Sequence, residues 1–369
     1  MNERVKILIL GKMPPPYYGV SVWFEQLQKG EWPDHFQMLW YDTGIHKDIS
    51  TIGNIGALSV FKHMMLHLKF FLLLFREKPD LVLVPVSQSK FGIIKDSVYI
   101  ILARLFKAKV LVMLHGSNLK TYLKSSTKLF NRYFNFIMAQ CYGAIVLSDR
   151  LKYIFSDYFD SSRIFSVPNG IDINLSQLEQ KTSNSSPVVC YLGNLLLSKG
   201  IEDILNALVF LKNQQVDFKA LFIGGWGDQQ TEEKCKQIVA DNELNVQFTG
   251  VKTGIEKYQL LKNSDIFLFT PNKPEGLPYV VLEAMSVGLP IIATDQGSIT
   301  DAVVDSENGF IVESGNAESI VQAISKLLHK RDLIPLMGEK SKRIYKNKFT
   351  KNHMISRFVS TFETVINKS

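Results

Sequence analysis

Cysteine is scarce in this chain. Cys141, Cys190 and Cys235 stand far apart, match neither a disulfide framework nor a zinc-ligand spacing, and point to a reducing compartment. Long apolar runs are missing too. The greasiest stretch, residues 60–75, is broken by Lys62, His63, His67 and Lys69. It lacks the roughly 18 apolar residues of a membrane span and reads instead as an amphipathic helix. The apolar run at 7–10 is far too short for the core of a signal peptide, so the chain is expected to stay in the cytoplasm. Nothing marks it as disordered, fibrous or low in complexity, and no repeat is found beyond a gross doubling of the whole pattern.

What is present fits a globular protein with more than one core. The 369 residues exceed what a single hydrophobic core usually organises, and two domains of roughly 150 to 200 residues are expected. With 46% hydrophobic and 21% charged residues, the chain can bury sizeable cores. Charge is unevenly shared. Residues 1–180 hold 21 Lys+Arg against 14 Asp+Glu, and residues 181–369 hold 21 against 21, so the whole formal excess of +7 sits in the first half. There Lys107, Lys109, Lys120, Lys124, Lys128 and Arg132 alternate with Tyr122, Leu123, Leu129, Phe130, Tyr133, Phe134 and Phe136. Two readings stay open: an anionic partner such as phospholipid or a polyprenyl diphosphate, or a solvated basic helix face. No nucleic-acid partner is expected.

Short β-type runs alternate with longer helical patterns, the signature of βα units around a parallel sheet, and the fold class is read as α/β throughout. In the first half, strands are expected at 5–10, 37–41, 81–85, 109–114, 144–147 and 164–167, with helices at 21–30, 56–76, 92–106 and 151–158. Residues 174–187, polar and almost free of large apolar side chains after Leu178, read as a linker. The pattern restarts with strands at 188–192, 220–223, 246–249, 266–269 and 291–293. Helices begin at Lys199, near Thr231 and at Glu256, and another runs through Leu282. Two doubly wound domains are therefore expected, over 1–173 and 188–348, the second helical and basic from Asp332. A last amphipathic helix, 349–369, is a candidate to return to the first domain. Ligands of such sheets sit at the carboxyl ends of the strands, so two facing domains would define a cleft.

The most informative stretch is PNKPEGLPYVVLEAMSVGLPIIATD, residues 271–295. A loop of Pro and Gly leads straight into a helix. Pro278 suits the first helical turn, where its missing N–H is no loss, and the amides of Gly276, Leu277 and Tyr279 surround an exposed helix N-terminus. Such an end favours a diphosphate. Glu275 in the loop and Glu283 about one turn into the helix have seven residues between them. A carboxylate accepts two hydrogen bonds from vicinal hydroxyls, so a sugar at the loop end and a ribose at the helix end would fit. The competing reading is a capping glutamate and a surface glutamate.

A second motif, YLGNLLLSKGIEDILNAL at 191–208, is a strand, a glycine turn and a helix headed by Lys199 and Gly200. A lysine at such a turn is a mobile point charge able to neutralise a leaving diphosphate. A third, GKMPPPYYGVSVWFEQL at 11–27, follows the first strand. Its prolines stiffen the loop, and Gly19 permits close backbone approach to a ligand. His115, with Gly116 and Ser117, follows the strand at 109–114 at its carboxyl end. A lone histidine is more often structural than catalytic.

The segment 271–295 resembles the signature of family four of the retaining glycosyltransferases, the glycosyl transferases of group 1. Their GT-B fold has two Rossmann-like domains, and the order of motifs matches over nearly the whole chain. The resemblance implies that Glu275 binds the donor sugar, Glu283 the ribose, and the backbone of Gly276, Leu277 and Tyr279 the phosphates. It implies that Lys199 contacts the diphosphate, with Asn194 where the family carries an arginine, so that the grip depends more heavily on Lys199. Gly19 then lies in a loop facing the phosphates, with Tyr18 in place of the first of two usual glycines. The backbone around Val251, in FTGVKTGIEKYQLL at 248–261, would hold the nucleobase, and His115 would lie beside the donor sugar. VPNGID at 167–172 and IGGWGD at 223–228 match as well. No Asp-x-Asp pair occurs anywhere in the chain, so the divalent-metal clamp of the other large glycosyltransferase fold is missing. A site with no metal and no cofactor is expected, its positive potential coming from Lys199 and helix-end amides.

The expected activity is retaining, metal-independent hexosyl transfer from a nucleotide-diphosphate sugar, UDP- or GDP-linked, with His115, Lys199 and Glu275 as the catalytic set. The acceptor is expected to be a glycan or a polyprenyl-diphosphate-linked sugar in surface polysaccharide or glycoconjugate biosynthesis, held by the basic first half. Attachment to the inner face of the cytoplasmic membrane is one reading of that half's basic patch. Two alternatives stand. An NDP-sugar epimerase would need further acid/base carboxylates facing the sugar. A non-catalytic scaffold is favoured by Asn194 and Tyr18 and opposed by Glu275, Glu283 and Lys199.

Overall fold

The computed structural model describes residues 4–45, 57–181 and 186–367. Gly56, the expected start of one helix, and residues 182–185 of the expected linker lie outside the described residues. The chain divides into two compact units, Met1–Gly170 with Lys351–Ser369, and Ile171–Thr350.

In the first unit β1 (Val5–Gly11), β2 (Phe36–Asp42), β3 (Leu81–Pro85), β4 (Lys109–Met113), β5 (Gly143–Val146) and β6 (Ile164–Ser166) make one parallel sheet. Its order is β2-β1-β3-β4-β5-β6. The central strands are unbroken aliphatic runs whose alternate side chains are all buried, as in Ile7 to Leu10, Leu81 to Val84 and Val110 to Met113. A sheet covered on both faces selects such runs over alternating ones. The helices are α1 (Gly19–Gln28), α2 (Ala57–Glu77), α3 (Lys90–Leu105), α4 (Leu119–Lys124) and α5 (Lys128–Met138). Ser89 and Thr127 cap α3 and α5, their hydroxyls accepting from the N–H groups of Gly92 and Phe130 at 3.3 Å.

One expectation fails here. The helix expected at 151–158 is a short 3-10 turn, Asp149–Ile154. Ser148 accepts from the N–H of Arg150 only two residues on, at 3.1 Å, which favours a tight turn over an α-helical start. The basic and aromatic patch between 107 and 136 is divided by the fold: Lys107, Lys124, Lys128, Arg132, Leu129 and Phe136 stay exposed, while other members turn inward or are engaged. Leu123, Phe130 and Phe134 face inward, Lys109 donates to the carbonyl of Val365 at 2.9 Å, and Lys120 pairs with Asp157 at 3.0 Å. Helical periodicity sends every third or fourth of these residues to the core.

The second unit repeats the plan with β7 (Val188–Leu192), β8 (Lys219–Ile223), β9 (Val246–Gly250), β10 (Ile266–Phe269), β11 (Ile291–Thr294) and β12 (Gly309–Val312). The order is β12-β11-β10-β7-β8-β9, again parallel. Its helices are α6 (Ile201–Asn213), α7 (Gln229–Asp241), α8 (Gly254–Lys262), α9 (Tyr279–Val287), α10 (Ile299–Ala302), α11 (Ala317–His329) and α12 (Leu333–Lys348). The strand order reverses at β7, between β8 and β10. The loops leaving β7 and β10 diverge there and open a crevice at the carboxyl ends.

The last helix, α13 (Lys351–Asn367), belongs to the first unit. It lays Phe358 and Phe362 against Trp23 and Trp32, with ring centres 6.3 and 6.0 Å apart.

Candidate active site

The crevice between β7 and β10 is built from both flanks. After β7 the chain passes Gly193 and Asn194 into the 3-10 turn Leu197–Lys199, and α6 follows. Gly200 takes φ of +78°, and a Cβ there would lie 1.9 Å from the carbonyl oxygen of Thr270. Only glycine lets this turn rest on the end of β10. The close approach brings Lys199 to the loop after β10, where its ammonium donates to Oε1 of Glu275. On the other side, Gly297 has φ of +61°, and a Cβ there would fall 2.0 Å from the carbonyl oxygen of Glu275. The N–H of Ser298 donates to the carbonyl of Gly276 at 2.9 Å. Two glycines thus clamp the loop that carries Glu275.

That loop ends at α9. Pro278 is the residue that caps the helix, with φ −68° and ψ 129°, one position earlier than the first turn expected for it. The helix still opens on the amide of Tyr279, beside Gly276 and Leu277, and its N-terminus carries the partial positive charge an anion requires. Glu283 lies one turn further on and is buried. Its Oε1 accepts from Lys257 Nζ at 2.7 Å and from the hydroxyl of Tyr258 at 3.1 Å, both on α8. Lys257 also sits over the Tyr258 ring, 4.6 Å from its centre. The sequence reading passed over Lys257 and Tyr258, although both stand inside the 248–261 motif.

On the far side of β7 the loops run backbone to backbone. A Cβ on Gly224, φ +156°, would lie 1.8 Å from the carbonyl of Gly193. The N–H of Leu195 donates to the carbonyl of Gly225 at 2.8 Å, and that of Gly224 to the carbonyl of Gly250 at 3.0 Å. Asn194 is held through its carbonyl, which accepts from the Tyr191 hydroxyl at 2.9 Å. Val251, 70% exposed, lies beside Gly225, and Trp226 packs on Phe248 with ring centres 4.9 Å apart. Asn194, Gly225, Trp226 and Val251 therefore form a continuous rim at the ends of β7, β8 and β9.

In the first unit Gly19 opens α1, and no atom lies within 4 Å of its Cβ position. The protein's own packing does not demand glycine there; the bare backbone faces open space. Ser21 ties the preceding loop, donating to the carbonyl of Pro16 at 2.7 Å and accepting from the N–H of Tyr18 at 2.9 Å. His115 stands edge-on to Trp23, 4.5 Å between ring centres, with both ring nitrogens shut from solvent and without a hydrogen-bond partner among the described residues. Burial pushes its pKa down to about 3. The ring is neutral at working pH, a hydrogen-bond donor without an acceptor rather than a proton carrier.

Among the expected site residues, Asn194, Lys199, Val251, Glu275, Gly276, Leu277, Tyr279 and Glu283 thus stand at the carboxyl edge of the second sheet. Gly19 and His115 stand at the carboxyl edge of the first. Two doubly wound units, each around a six-stranded parallel sheet, make up the GT-B fold. Residues 175–350, nearly the whole of the second unit, match the family model described as glycosyl transferases group 1, and the chain is a nucleotide-sugar-dependent glycosyltransferase.

It is similar to the capsular polysaccharide biosynthesis glycosyltransferase CapM of Staphylococcus aureus, 25% identical over 348 residues, covering 89% of this chain and 87% of CapM. It is 26% identical over 286 residues to the UDP-Gal:alpha-D-GlcNAc-diphosphoundecaprenol alpha-1,3-galactosyltransferase of Escherichia coli, covering 73% of this chain and 72% of that one. Among solved structures, Anabaena Alr3699/HepE in complex with UDP and glucose matches with a TM-score of 0.73 at 19% identity, over 98% of this chain and 100% of that chain.

Proposed function

We propose that the chain moves a hexosyl residue, with retention at C1, from a UDP-sugar to a polyprenyl-diphosphate-linked glycan during assembly of a surface polysaccharide, and needs no metal to do so. The observation that carries this reading is the Lys199–Glu275 pair at the β7/β10 crevice, in the loop that leads into a helix N-terminus with Glu283 one turn along that helix.

The diphosphate would lie on the α9 amides and take Lys199 from Glu275 as counter-ion, with the ribose on Glu283. Glu275, released from Lys199, would accept from the sugar hydroxyls. The C1–O bond to the phosphate breaks, the acceptor oxygen bonds to C1 on the same face, and the acceptor's proton passes to the departing phosphate oxygen. Lys199 and the helix end stabilise the charge that grows on that phosphate, the task a divalent cation performs elsewhere. The names of the two relatives favour a surface glycan and a diphosphate-linked lipid acceptor, and the UDP bound to HepE favours UDP over GDP.

The test is thermal stabilisation by UDP-, GDP-, ADP- and dTDP-sugars in the presence of EDTA, because a ligand that binds only the folded state raises its stability. A shift with the UDP-sugar that disappears in Glu283→Ala is the expected result. No shift with any of them, or one that survives Glu283→Ala, overturns the assignment.

A further inference from the structure

Helix α2 is apolar on two sides, and only one of them is used. Inward, Phe70 and Leu74 are fully buried, with Phe70 against Tyr41 and Tyr99 at 5.2 and 5.0 Å between ring centres. His67 Nε2 lies 3.2 Å from the carbonyl of Lys95, and the Tyr41 hydroxyl donates to the carbonyl of Leu66. These contacts fix the helix to the first unit. Outward, Phe61, Met64, Leu68, Phe71, Leu72 and Phe75 are 40 to 67% exposed. At about 100° per residue these side chains cover an arc of roughly 100°, a continuous apolar stripe rather than scattered exposure.

Charge is placed with the same regularity. Lys62, Lys69 and Arg76 recur every seven residues and so form one line along an edge of the stripe. The only carboxylate of the helix, Glu77, is mostly covered and held by Arg76 at 2.7 Å and Lys6 at 3.7 Å. Lys62 and Lys69 have no ion pair among the described residues. The end of α3 extends the surface: Phe106 packs on Phe71, 5.4 Å between ring centres, with Leu105 70% exposed and Arg104 and Lys107 exposed beside it.

Among the described residues no helix is long and apolar enough to cross a membrane, and α2 is tied down on its inner side. We propose that this face of α2 lies in the interface of an anionic phospholipid bilayer, its aromatic and aliphatic stripe entering the acyl boundary and its line of cations meeting the headgroups. Charge decides the occupant. A second copy of the same face would set cations against cations, whereas anionic headgroups complement them, and lysine stems can lie along the acyl boundary while their ammonium groups reach the phosphates. The proposal deepens the acceptor half of the proposed function and is independent of the donor site, since its surface lies wholly in the first unit.

The test is flotation of the whole chain with vesicles of phosphatidylcholine alone and of phosphatidylcholine mixed with phosphatidylglycerol, beside light scattering of the free protein. Wild type floats with the mixed vesicles and far less with the neutral ones. Phe61→Ser, Leu68→Ser, Leu72→Ser and Phe75→Ser combined abolish flotation while keeping the melting temperature and the nucleotide-sugar stabilisation, because these side chains are already exposed. Lys62→Gln and Lys69→Gln each lower the partition coefficient on the order of fivefold. Failure of wild type to float with mixed vesicles, undiminished flotation of the fourfold variant, or a dimer that this variant dissociates, overturns the proposal. Nucleotide stabilisation in the same samples reports separately on the donor reading.

Discussion

Lys257 and Glu283 meet at 2.7 Å between α8 and α9, and the Tyr258 hydroxyl reaches the same carboxylate oxygen at 3.1 Å. One oxygen of Glu283 is thereby committed to the protein, and the carboxylate is oriented before any nucleotide arrives. A ribose bound as proposed would find the second oxygen in place and would not need to order a free side chain.

Removing either partner has separable effects. Glu283→Ala strands Lys257 in a half-covered site, lowers stability by about 2 kcal/mol and removes most nucleotide affinity. Lys257→Met leaves the carboxylate present but loosely held, and raises KM for the donor several-fold with little change in kcat. Urea unfolding and steady-state kinetics on the two variants check the split.

On the proposed reading, Glu275 and a donor diphosphate would compete for Lys199. Glu275→Gln frees the ammonium, so UDP alone binds a few-fold more tightly while transfer falls by roughly 100-fold or more. Lys199→Ala loses both, and Lys199→Arg restores part of the UDP affinity. Calorimetric titration with UDP alongside initial rates distinguishes these variants.

Gly200 is the hinge on which Lys199 is placed. Gly200→Ala forces a side chain into the Thr270 carbonyl and into a left-handed backbone, costing about 2 kcal/mol or more. Because the same shift moves Lys199, nucleotide stabilisation drops with it. The check is whether the variant's urea midpoint and its response to UDP fall together.

The buried ring of His115 titrates far below an unfolded histidine. Its pKa is lowered, to about 3 from 6.5, so the unfolded chain binds more protons between those values. The stability it contributes is fully present above pH 6.5 and is lost as the pH falls through that window, at up to about 1.4 kcal/mol per pH unit. His115→Phe therefore flattens the dependence of stability on pH between 6.5 and 5. The wild-type pH–rate profile shows no inflection from this residue between pH 5 and 8.

The fold class was legible because the strands are short aliphatic runs that periodicity cannot disguise, and the donor loop because Pro, Gly and Glu fall at fixed offsets around α9. β12 escaped notice: Phe310, Ile311 and Val312 are strand formers, but a three-residue run behind Gly309, which meets β11 so closely that no Cβ fits, is too short to show a period. α11 was missed despite a regular stripe of Ile320, Val321, Ile324 and Leu327. Lys257 and Tyr258 were hidden by a different cause. Their meaning lies in a partner 25 or 26 residues away, and a sequence shows periodicity within an element but not which side chains of two elements meet. Which members of the basic patch stay on the surface was hidden for the same reason, since burial of Phe130 and Phe134 and the engagement of Lys109 and Lys120 are tertiary facts.

Helix α13 carries a consequence for synthesis. Phe358 and Phe362 fill the space beside Trp23 and Trp32, and Lys109 binds the carbonyls of Val365 and Ile366 at 2.9 and 3.3 Å. On the ribosome, Trp23 and Trp32 in the first segment made must wait for these partners until α13 emerges, after the whole second unit has been translated. The second unit, whose residues are contiguous, can complete its core sooner, so the half of the protein that emerges first is the half that finishes folding last.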